Sequence, residues 1–481
     1  MHIAAHKARP PLHPLERTFL GLACVHLVFL PWAFGTMHGW SQTVGLALSA
    51  LSLVLSLLPR RYEGELTTGG NFTLHSWPRL LKFPPFWLGL ALLGLMLAQA
   101  LNPWWVWERN ETVWWLRRVT DIEWLPASID APFERSNAWR QLLIHGSAWL
   151  TVCALWIGIT RRRSLQILLG VLVVNGLMLA AAGFVQRMTD TRKLLWIREF
   201  PGADSFGSFV YRNHAGAYLG LAAAAALGLA VWHFFEGRRR MSRSTPSALW
   251  FVAVVVLIFA VLFSFSRGAI ITLAVFLAGA VAAFLIVRAA SPVPSTMPRL
   301  VTAMVALAIL GTVGWVVRRV DFTEITRRME TLSKIERDES YISRKLARDS
   351  AWQMLGDHWQ RGVGAGGFRH LFPEYIKDKP AIHARGALFW EHAHCDWLEI
   401  PIELGLAGAL LIAGGLGWMA RCWWRHRGWR HPVAVMLLIG CGQTLLHAVI
   451  EFPFQCPAIL TTWWALLVIA LRWLELDGSE R

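Results

Sequence analysis

The stretch FWEHAHCDWLEIPIELGLAG, residues 389–408, brings titratable side chains to the start of an apolar run. Two histidines, His392 and His394, and three carboxylates lie within the nine residues from Glu391 to Glu399. The chain then stays largely apolar for about 20 residues, which is the length of a helix that crosses a bilayer. This junction predicts a membrane-spanning helix whose first turn carries polar groups at the membrane surface.

The composition of the whole chain is that of a membrane protein. Of its 481 residues, 55% are hydrophobic and 16% are charged, whereas soluble domains carry about 25% charged residues. The mean hydropathy is +0.41. The 28 tryptophans, many of them in pairs, are typical of the wet edge of a bilayer. The net charge of +16 does not indicate nucleic-acid binding, because the arginines punctuate apolar runs instead of forming one face.

Apolar runs of about 17–25 residues predict an all-α integral membrane protein with about twelve transmembrane helices. The predicted helices cover approximately residues 18–35, 42–58, 85–101, 141–160, 164–185, 214–235, 248–265, 269–288, 300–317, 398–420, 432–450 and 457–474. No span is broken by Gly or Pro in matching halves, which argues against an inverted-repeat transporter. The polar, basic start of the chain predicts no cleavable signal peptide.

Arginine-rich short loops predict the orientation of the helices. They lie at residues 60–61, 161–163, 238–243 and 421–430, all on one side if the spans alternate. The positive-inside rule makes this side cytoplasmic, together with both termini. The opposite, outer side carries the segments 102–140, 186–213 and 318–397. The expected domains are an N-terminal segment (1–17), helices 1–9 (18–317), a large outer loop (318–397), helices 10–12 (398–474) and a tail (475–481).

The outer loop 318–397 contains a predicted amphipathic helix. The segment SYISRKLARDSAWQMLGDHW, residues 340–359, has apolar residues at helical spacing. The following RGVGAGGF ends this helix, because Gly364, Gly366 and Gly367 permit turns that are closed to other residues.

Two arginines on the outer side are candidate ligands for an anion. Arg212, Asn213 and His214 directly precede a span, and Arg267 lies in a turn of a few residues between two spans. Short outer turns carry few arginines, so Arg267 needs a reason other than orientation. The structural alternative is an arginine that snorkels to the interface. The functional interpretation is that Arg212 and Arg267 clamp a diphosphate, since the guanidinium fork matches phosphate oxygens.

His394 is the candidate general base, because a neutral imidazole titrates near physiological pH and can take a proton from a hydroxyl group. Glu391 or Asp396 is expected to orient its ring, as a carboxylate does in catalytic triads. The alternative is an interfacial histidine that bonds a backbone carbonyl. Further supporting candidates are Asn213, His214, His392, Asp396, Glu403 and Glu451. His447, near Glu451 at the outer end of the predicted helix 432–450, is a weaker candidate. The polar groups near His394 lack the spacing of a metal site, so chemistry without a metal is expected.

Four segments resemble the signatures of the O-antigen ligase and O-antigen polymerase superfamily, in the same order along the chain. They are GSFVYRNHAGAYL (207–219), SFSRGA (264–269), DHWQRGVGAGGFRHLFPEY (357–375) and AHCDWLEIPIELGLAG (393–408). The resemblance covers roughly residues 140–470. Cys395 stands where the family pattern has Asn, and Trp359 stands where it has Pro. Neither departure removes a charged or titratable group.

The resemblance implies a GT-C-type fold, in which a helical bundle carries a loop domain over a cavity for lipid substrates. It implies a glycan donor on undecaprenyl diphosphate, a lipid- or glycan-borne acceptor, and an active site on the periplasmic face of the bacterial inner membrane. Arg212 and Arg267 would hold the diphosphate, and His394 would activate the acceptor hydroxyl. The sugar carbon would be attacked with inversion, without a metal or cofactor.

Other classes of function stay open at this stage. A transporter or flippase would use the outer arginines to bind an anionic lipid-linked glycan in transit, but the predicted helices 269–288 and 300–317 have almost no polar residues at mid-depth. A structural or assembly protein would leave the arginines and histidines unexplained. Within the enzyme class, ligases, polymerases and protein-glycosylating enzymes share these motifs. Cys395 and Cys456 are both predicted near the oxidising outer surface, where a disulfide between them is chemically allowed.

Overall fold

The protein is a bundle of helices with a smaller polar cap at one end. The computed structural model describes residues 12–62, 72–189, 191, 193–199, 205–239, 241, 244–289, 339–383 and 389–479. Helices α1–α9 are Pro14–Trp32, Gly39–Leu57, Trp77–Leu81, Pro84–Leu101, Ala138–Gly158, Arg162–Met188, Arg212–Arg239, Ser247–Phe263 and Arg267–Ala289. Helices α10–α16 are Glu339–His358, Phe368–Leu371, Pro373–Ile376, Pro380–His383, Asp396–Arg425, Pro432–His447 and Pro457–Ser479.

Most of the predicted transmembrane helices are present. Among the described residues, nine helices are long and apolar enough to cross a membrane, namely α1, α2, α4, α5, α6, α7, α9, α14 and α16. Two shorter apolar helices, α8 and α15, coincide with two further predicted spans. The remaining predicted span, 300–317, lies outside the described residues. Helices α4 and α15 begin with proline, which is favoured there because the first N–H groups of a helix have no intrahelical acceptor.

One end of the bundle, which we call the basic end, brings arginine-rich loops together. The buried carboxylate of Glu16 on α1 lies 3.3 Å from the Arg60 guanidinium and accepts a 2.7 Å hydrogen bond from the Ser164 hydroxyl. Arg79, just before α4, pairs with Glu475 of α16 at 2.5 Å. These contacts join the loops that follow α2 and α5 to the start of α1 and the end of α16. The two basic loops therefore lie at one end, as their sequences predict.

Short strands that the all-α prediction did not include occur at both ends of the bundle. Strands β1–β7 are Arg60–Tyr62, Phe72–Leu74, Pro103–Arg109, Trp114–Arg118, Ser128–Asp130, Lys193–Leu194 and Arg198–Glu199. Of these, β1 and β2 follow α2 at the basic end, and β3–β5 belong to the opposite end, the cap end. In the cap, β3 lies between β4 and β5, antiparallel to β4 and parallel to β5. Trp105 faces Arg118, and Glu108 faces Trp115. The tryptophan pairs in this segment thus belong to the two strands of a hairpin. Within each pair, the two side chains point to opposite faces of the sheet.

The cap has a hydrophobic core of its own. Ala351 and Met354 of α10 are fully buried against Phe368 of α11 and Ile402 of α14. The predicted amphipathic helix 340–359 is confirmed, since it forms α10 with its apolar residues in this core. The cap is therefore packed onto the first turns of α14.

A run of glycines joins the cap to α14 by backbone hydrogen bonds. Gly362, Gly364 and Gly366 have positive φ angles of 73°, 93° and 76°, which favour glycine, whereas Gly367 does not. The amide of Gly364 donates to the carbonyl of Glu403 at 3.0 Å. That carbonyl also accepts from the side chain of Gln99 on α4, at 2.9 Å. These bonds occupy a backbone carbonyl of α14 just before Gly405, whose non-helical φ and ψ angles kink the helix.

We predict that Gly405→Ala destabilises the protein by on the order of 1–3 kcal/mol. Gly405 has φ 64° and ψ −171°, a conformation that is nearly restricted to glycine, and a Cβ would lie 2.7 Å from the carbonyl oxygen of Gln360. Gly417→Ala on the same helix is the matched control, because a Cβ there meets nothing within 4 Å. Apparent unfolding temperatures in one detergent compare the two variants. Equal unfolding temperatures would contradict this role of Gly405.

Candidate active site

The centre of the candidate site is the buried carboxylate of Glu451, which follows α15. Its Oε2 lies 3.1 Å from His394 Nδ1 and accepts a 3.0 Å hydrogen bond from the Tyr211 hydroxyl. Its Oε1 accepts from the Asn213 amide at 2.6 Å and from the Arg344 guanidinium at 2.8 Å. The partners come from four places: the residue before α7, the first turn of α7, helix α10 and the segment before α14. One carboxylate thus links the bundle to the cap.

Glu451 is ionised at neutral pH. Burial alone raises its pKa, but the hydrogen bond from His394 and the charge of Arg344 outweigh it and lower the pKa to about 2. Burial, together with the negative charge of Glu451, raises the pKa of Tyr211. The tyrosine is therefore a neutral hydrogen-bond donor to the carboxylate.

The imidazole of His394 has the orientation of a general base. Because Glu451 is a carboxylate and can only accept, Nδ1 of the neutral ring carries the proton and Nε2 is the basic nitrogen. The side chain is 21% exposed. His394 has φ 50°, a left-handed conformation that is uncommon for residues other than glycine and clusters at functional sites. The ring is bounded by Phe452 at 4.8 Å and Trp390 at 5.5 Å between centroids.

The carboxylate that orients His394 is not one of the two expected from the sequence. Glu391 forms an ion pair with Arg369 at 2.8 Å. Asp396 is buried, and its Oδ2 accepts a 2.9 Å hydrogen bond from the backbone N–H of Phe454. The expectation was wrong because it considered neighbours in sequence, whereas Glu451 reaches the ring from the turn after α15.

His392 forms a second histidine–carboxylate pair beside the first. Its Nδ1 lies 2.7 Å from Glu399 Oε1, and Oε2 of the same carboxylate accepts a 2.7 Å hydrogen bond from the amide of Ala393. The His392 ring stacks on Phe452 at 4.5 Å. The two histidines therefore have separate carboxylate partners and share one aromatic neighbour.

Phe452 organises the rings of the site. Tyr211 stacks on it at 5.2 Å between centroids, with 9° between the ring planes, and His214 meets its edge, also at 5.2 Å. Nε2 of His214 also lies 3.3 Å from the Phe452 carbonyl oxygen. Four rings from two segments, 211–214 and 392–394, thus contact one phenylalanine.

The two candidate arginines lie at the starts of neighbouring helices at the cap end. Arg212 and Arg267 are the first residues of α7 and α9, and both are half-buried. The first turns of these helices touch, since a Cβ on Gly216 would lie 2.4 Å from Ala269 Cβ. Helix starts carry partial positive charge from free N–H groups, which adds to the charge of the arginines.

A short chain of contacts, through His447 and Glu451, connects the start of α9 to the general base His394. A Cβ on Gly268, beside Arg267, would lie 2.8 Å from His447 Nε2. The His447 carbonyl accepts a 2.9 Å hydrogen bond from the amide of Glu451, whose side chain bonds His394. The structure thus brings the candidate arginines and His394 to the same end of the bundle.

Two of the supporting candidates hold the framework. The amide of Asp396 donates to the Ala448 carbonyl at 2.9 Å, which fixes the start of α14 to the turn after α15. The carboxylate of Glu403 accepts a 3.1 Å hydrogen bond from the amide of Phe368 in the cap. Cys395 and Cys456 are free thiols. In the part of the chain that the structure describes, no group of three His, Cys, Asp or Glu side chains is arranged to hold a metal ion.

Sequence reasoning missed three residues of the site. Tyr211 lies inside a quoted motif but carries no charge, and Phe452 is an ordinary aromatic by composition. Arg344 occupies a polar position of α10, where an arginine is typical of any solvated helix face. Its role depends on a partner 107 positions away in the chain, Glu451, which no local pattern indicates.

The fold and the site define a polytopic membrane protein with a histidine–carboxylate pair and two arginines at one end of its bundle. The family model for O-antigen ligase matches residues 252–413, from α8 to the middle of α14. No curated protein matches the chain. The match covers about a third of the chain and includes three of the four motif segments, and over this part it bears out the resemblance to the O-antigen ligase and polymerase superfamily. The activity of the chain is thereby of the membrane glycan-processing type, on lipid-linked glycans and polysaccharides.

We predict that Glu451→Gln lowers the free energy of unfolding by on the order of 1–3 kcal/mol, because Arg344 loses the charge of its partner. The carboxylate stabilises the fold above its unfolded pKa of about 4.3, and this contribution is lost as pH falls towards about 2. The difference between variant and unmodified protein should thus be constant from about pH 7 to 5 and narrow below about 4.3.

Glu391→Gln is the matched control for this measurement. Glu391 also pairs with an arginine, but its side chain is 58% exposed, and exposed ion pairs contribute little. Unfolding is followed for both variants in the same detergent. A Glu451→Gln variant as stable as the Glu391→Gln variant at pH 7 would contradict the central place of Glu451.

Proposed function

We propose that the protein is a glycosyltransferase that moves a glycan from an undecaprenyl-diphosphate donor to a hydroxyl group of a lipid- or glycan-borne acceptor. The observation that carries this proposal is the 3.1 Å contact between His394 Nδ1 and the buried Glu451 carboxylate, at the end of the bundle where Arg212 and Arg267 begin their helices. A base and a diphosphate clamp are the two functions that such a transfer requires. The family match supports this class of reaction.

In the proposed reaction, Nε2 of His394 takes the proton of the acceptor hydroxyl. The acceptor oxygen attacks the anomeric carbon of the donor sugar, and the bond from that carbon to the phosphate oxygen breaks. The carbon is inverted because attack and departure are on opposite faces. Glu451 stabilises the imidazolium that forms and holds its ring in place, as the aspartate of a catalytic triad does.

The leaving group is a lipid diphosphate, whose negative charge rises as the bond breaks. Arg212 and Arg267, with the N–H groups at the starts of α7 and α9, offer positive charge to that group. Removal of one charge-stabilising donor typically costs about 10²–10³ in rate. We propose that this arrangement works without a metal ion, since fixed guanidinium groups supply the required charge.

The proposed location of the site is the periplasmic face of the bacterial inner membrane. The basic loops after α2 and α5 share the basic end with the start of α1 and the end of α16, and the positive-inside rule would place that end in the cytoplasm with both termini. The cap end, which includes the described part of the loop 318–397, would then face the periplasm. A GT-C-type arrangement, with a cap over the membrane end of a bundle, is in accord with this location.

We predict that His394→Ala lowers the rate of glycan transfer by about 10²–10⁴ and that Arg267→Ala lowers it by about 10²–10³. Membrane insertion should be unaffected, because both side chains lie at the cap end of their helices. The measurement is mass analysis of products after purified protein is incubated with a lipid-diphosphate glycan and candidate acceptors. Arg163→Ala, in the first turn of α6 at the basic end, is the control and should keep the full rate.

A normal transfer rate for His394→Ala would remove the base assignment. Movement of the lipid-linked glycan across liposome membranes, without a new glycosidic bond in any product, would contradict the transferase function and support a flippase.

We also predict that a chelator such as EDTA leaves the transfer rate unchanged, within about twofold, because the arginines replace a metal as the counter-charge. The assay is the same mass analysis of transfer products, carried out with and without the chelator. A further sample with Mg²⁺ added back after chelation is the control. Loss of activity that Mg²⁺ restores would contradict the metal-free mechanism.

A further inference from the structure

A row of aromatic and charged side chains crosses the cap surface and ends near His394. It consists of Trp107, Trp114, Phe389, Arg369 and Glu391, which we call the aromatic strip. The rings of Trp107 and Trp114 are 6.3 Å apart, and those of Trp114 and Phe389 are 6.4 Å apart. The Arg369 guanidinium lies 5.2 Å from the centre of the Phe389 ring and 2.8 Å from Glu391. Each member thus contacts the next.

The aromatic strip is open to solvent at Phe389 and Glu391 and only partly exposed elsewhere, since the Arg369 side chain is 18% exposed and Trp107 packs against the core of the cap. Phe389 is 42% exposed, the side chain of Glu391 is 58% exposed, and both tryptophans are half-buried. The strip is continuous with the active site, because Trp390 and His392 directly flank Glu391 and the Trp390 ring meets His394 at 5.5 Å. An extended molecule on the strip would have its end at the general base.

The chemistry of the strip matches sugars better than lipid. Guanidinium groups contact the first and last of its rings: that of Arg135 lies 5.0 Å from the centre of the Trp107 ring, and that of Arg369 lies 5.2 Å from the centre of the Phe389 ring. Lipid tails offer no hydrogen-bonding groups to Arg369 or Glu391. A pyranose has an apolar face of C–H groups that stacks on an aromatic ring, and a rim of hydroxyls that bonds guanidinium and carboxylate groups. The spacing of neighbouring rings is comparable to the length of one pyranose unit.

We infer that the aromatic strip is a binding site for the polysaccharide chain, holding sugar units beyond the one that reacts. This inference rests on the proposed transfer reaction and adds a substrate contact far from the diphosphate. Trp107, Trp114 and Phe389 stack on successive sugar units, and Arg369 and Glu391 bond their hydroxyls. The strip therefore strengthens the binding of long glycans, which reach it, and contributes little to the binding of short ones.

The test measures glycan binding apart from transfer. The probe is a series of lipid-free fragments, short and long, released by mild acid from the surface polysaccharide of the cell that encodes this chain. Calorimetric titration of the full-length protein in detergent gives the dissociation constant. We expect Trp114→Ala and Phe389→Ala each to weaken binding of long fragments by roughly three- to tenfold. Trp114→Phe and Phe389→Tyr should retain binding, because a ring is kept.

Two controls separate the strip from other effects. Trp124→Ala removes a cap tryptophan that is 80% exposed and outside the strip, and should bind as the unmodified protein does. His394→Ala should bind fragments normally while transfer fails. Equal binding by all variants, or no binding by the unmodified protein, would contradict the assignment of the strip as a glycan-binding site. The rings would then be assigned to contact with lipid.

Transfer assays then distinguish the strip from the proposed function. With the unmodified protein, a donor with many repeat units should have a lower KM than a donor with one repeat. The strip variants should lose this difference and keep the rate on the short donor. If fragments bind as expected but no donor is ever transferred, the proposed function fails while the binding site remains. If transfer occurs with no effect of chain length in any variant, the inference about the strip is wrong.

Discussion

A buried carboxylate in a mainly apolar protein must be compensated, and the structure is arranged around that requirement at Glu451. An ionised group without partners at such a position would cost several kcal/mol, so the fold has to supply donors. Tyr211 and Asn213, Arg344, and His394 supply them from three segments that are distant in sequence. The same contacts that satisfy the charge therefore set the position and tautomer of His394. Stability of the cap end and orientation of the general base are two results of one interaction.

The cap is held by a second connection that is independent of charge. Backbone groups near the kink of α14 bond the glycine run of the cap, and Gln99 of α4 joins the same carbonyl of Glu403. Only glycine fits Gly362 and Gly405, where the two backbones approach within van der Waals distance. The kinked helix thus carries polar groups into the site from one side and receives the cap on the other. This explains why the titratable cluster precedes a span directly: the start of α14 belongs to both parts.

Much of the fold could be predicted from the sequence, because apolar length alone identifies a membrane helix. Positions of α1, α7 and α14 follow from it within a few residues. The hairpin of β3 and β4 could not, since its tryptophans have the composition of a bilayer edge and their pairing depends on register across strands. In the site, His394 and the arginines carried recognisable chemistry. Glu451 could be named only as a supporting candidate, and its pairing with His394 could not be predicted, because it lies 57 positions from His394 and its orientation comes from the turn after α15.

The central claim is that Glu451 acts through His394, and a double-mutant cycle on the rate of glycan transfer tests it most directly. Rates are compared for unmodified protein, Glu451→Gln, His394→Ala and the double variant, all purified in the same detergent. Residues that work as one unit have strongly non-additive effects. The account predicts that the double variant is no slower than His394→Ala alone. Effects that multiply, so that the double variant is slower by the product of the two single losses, would contradict it.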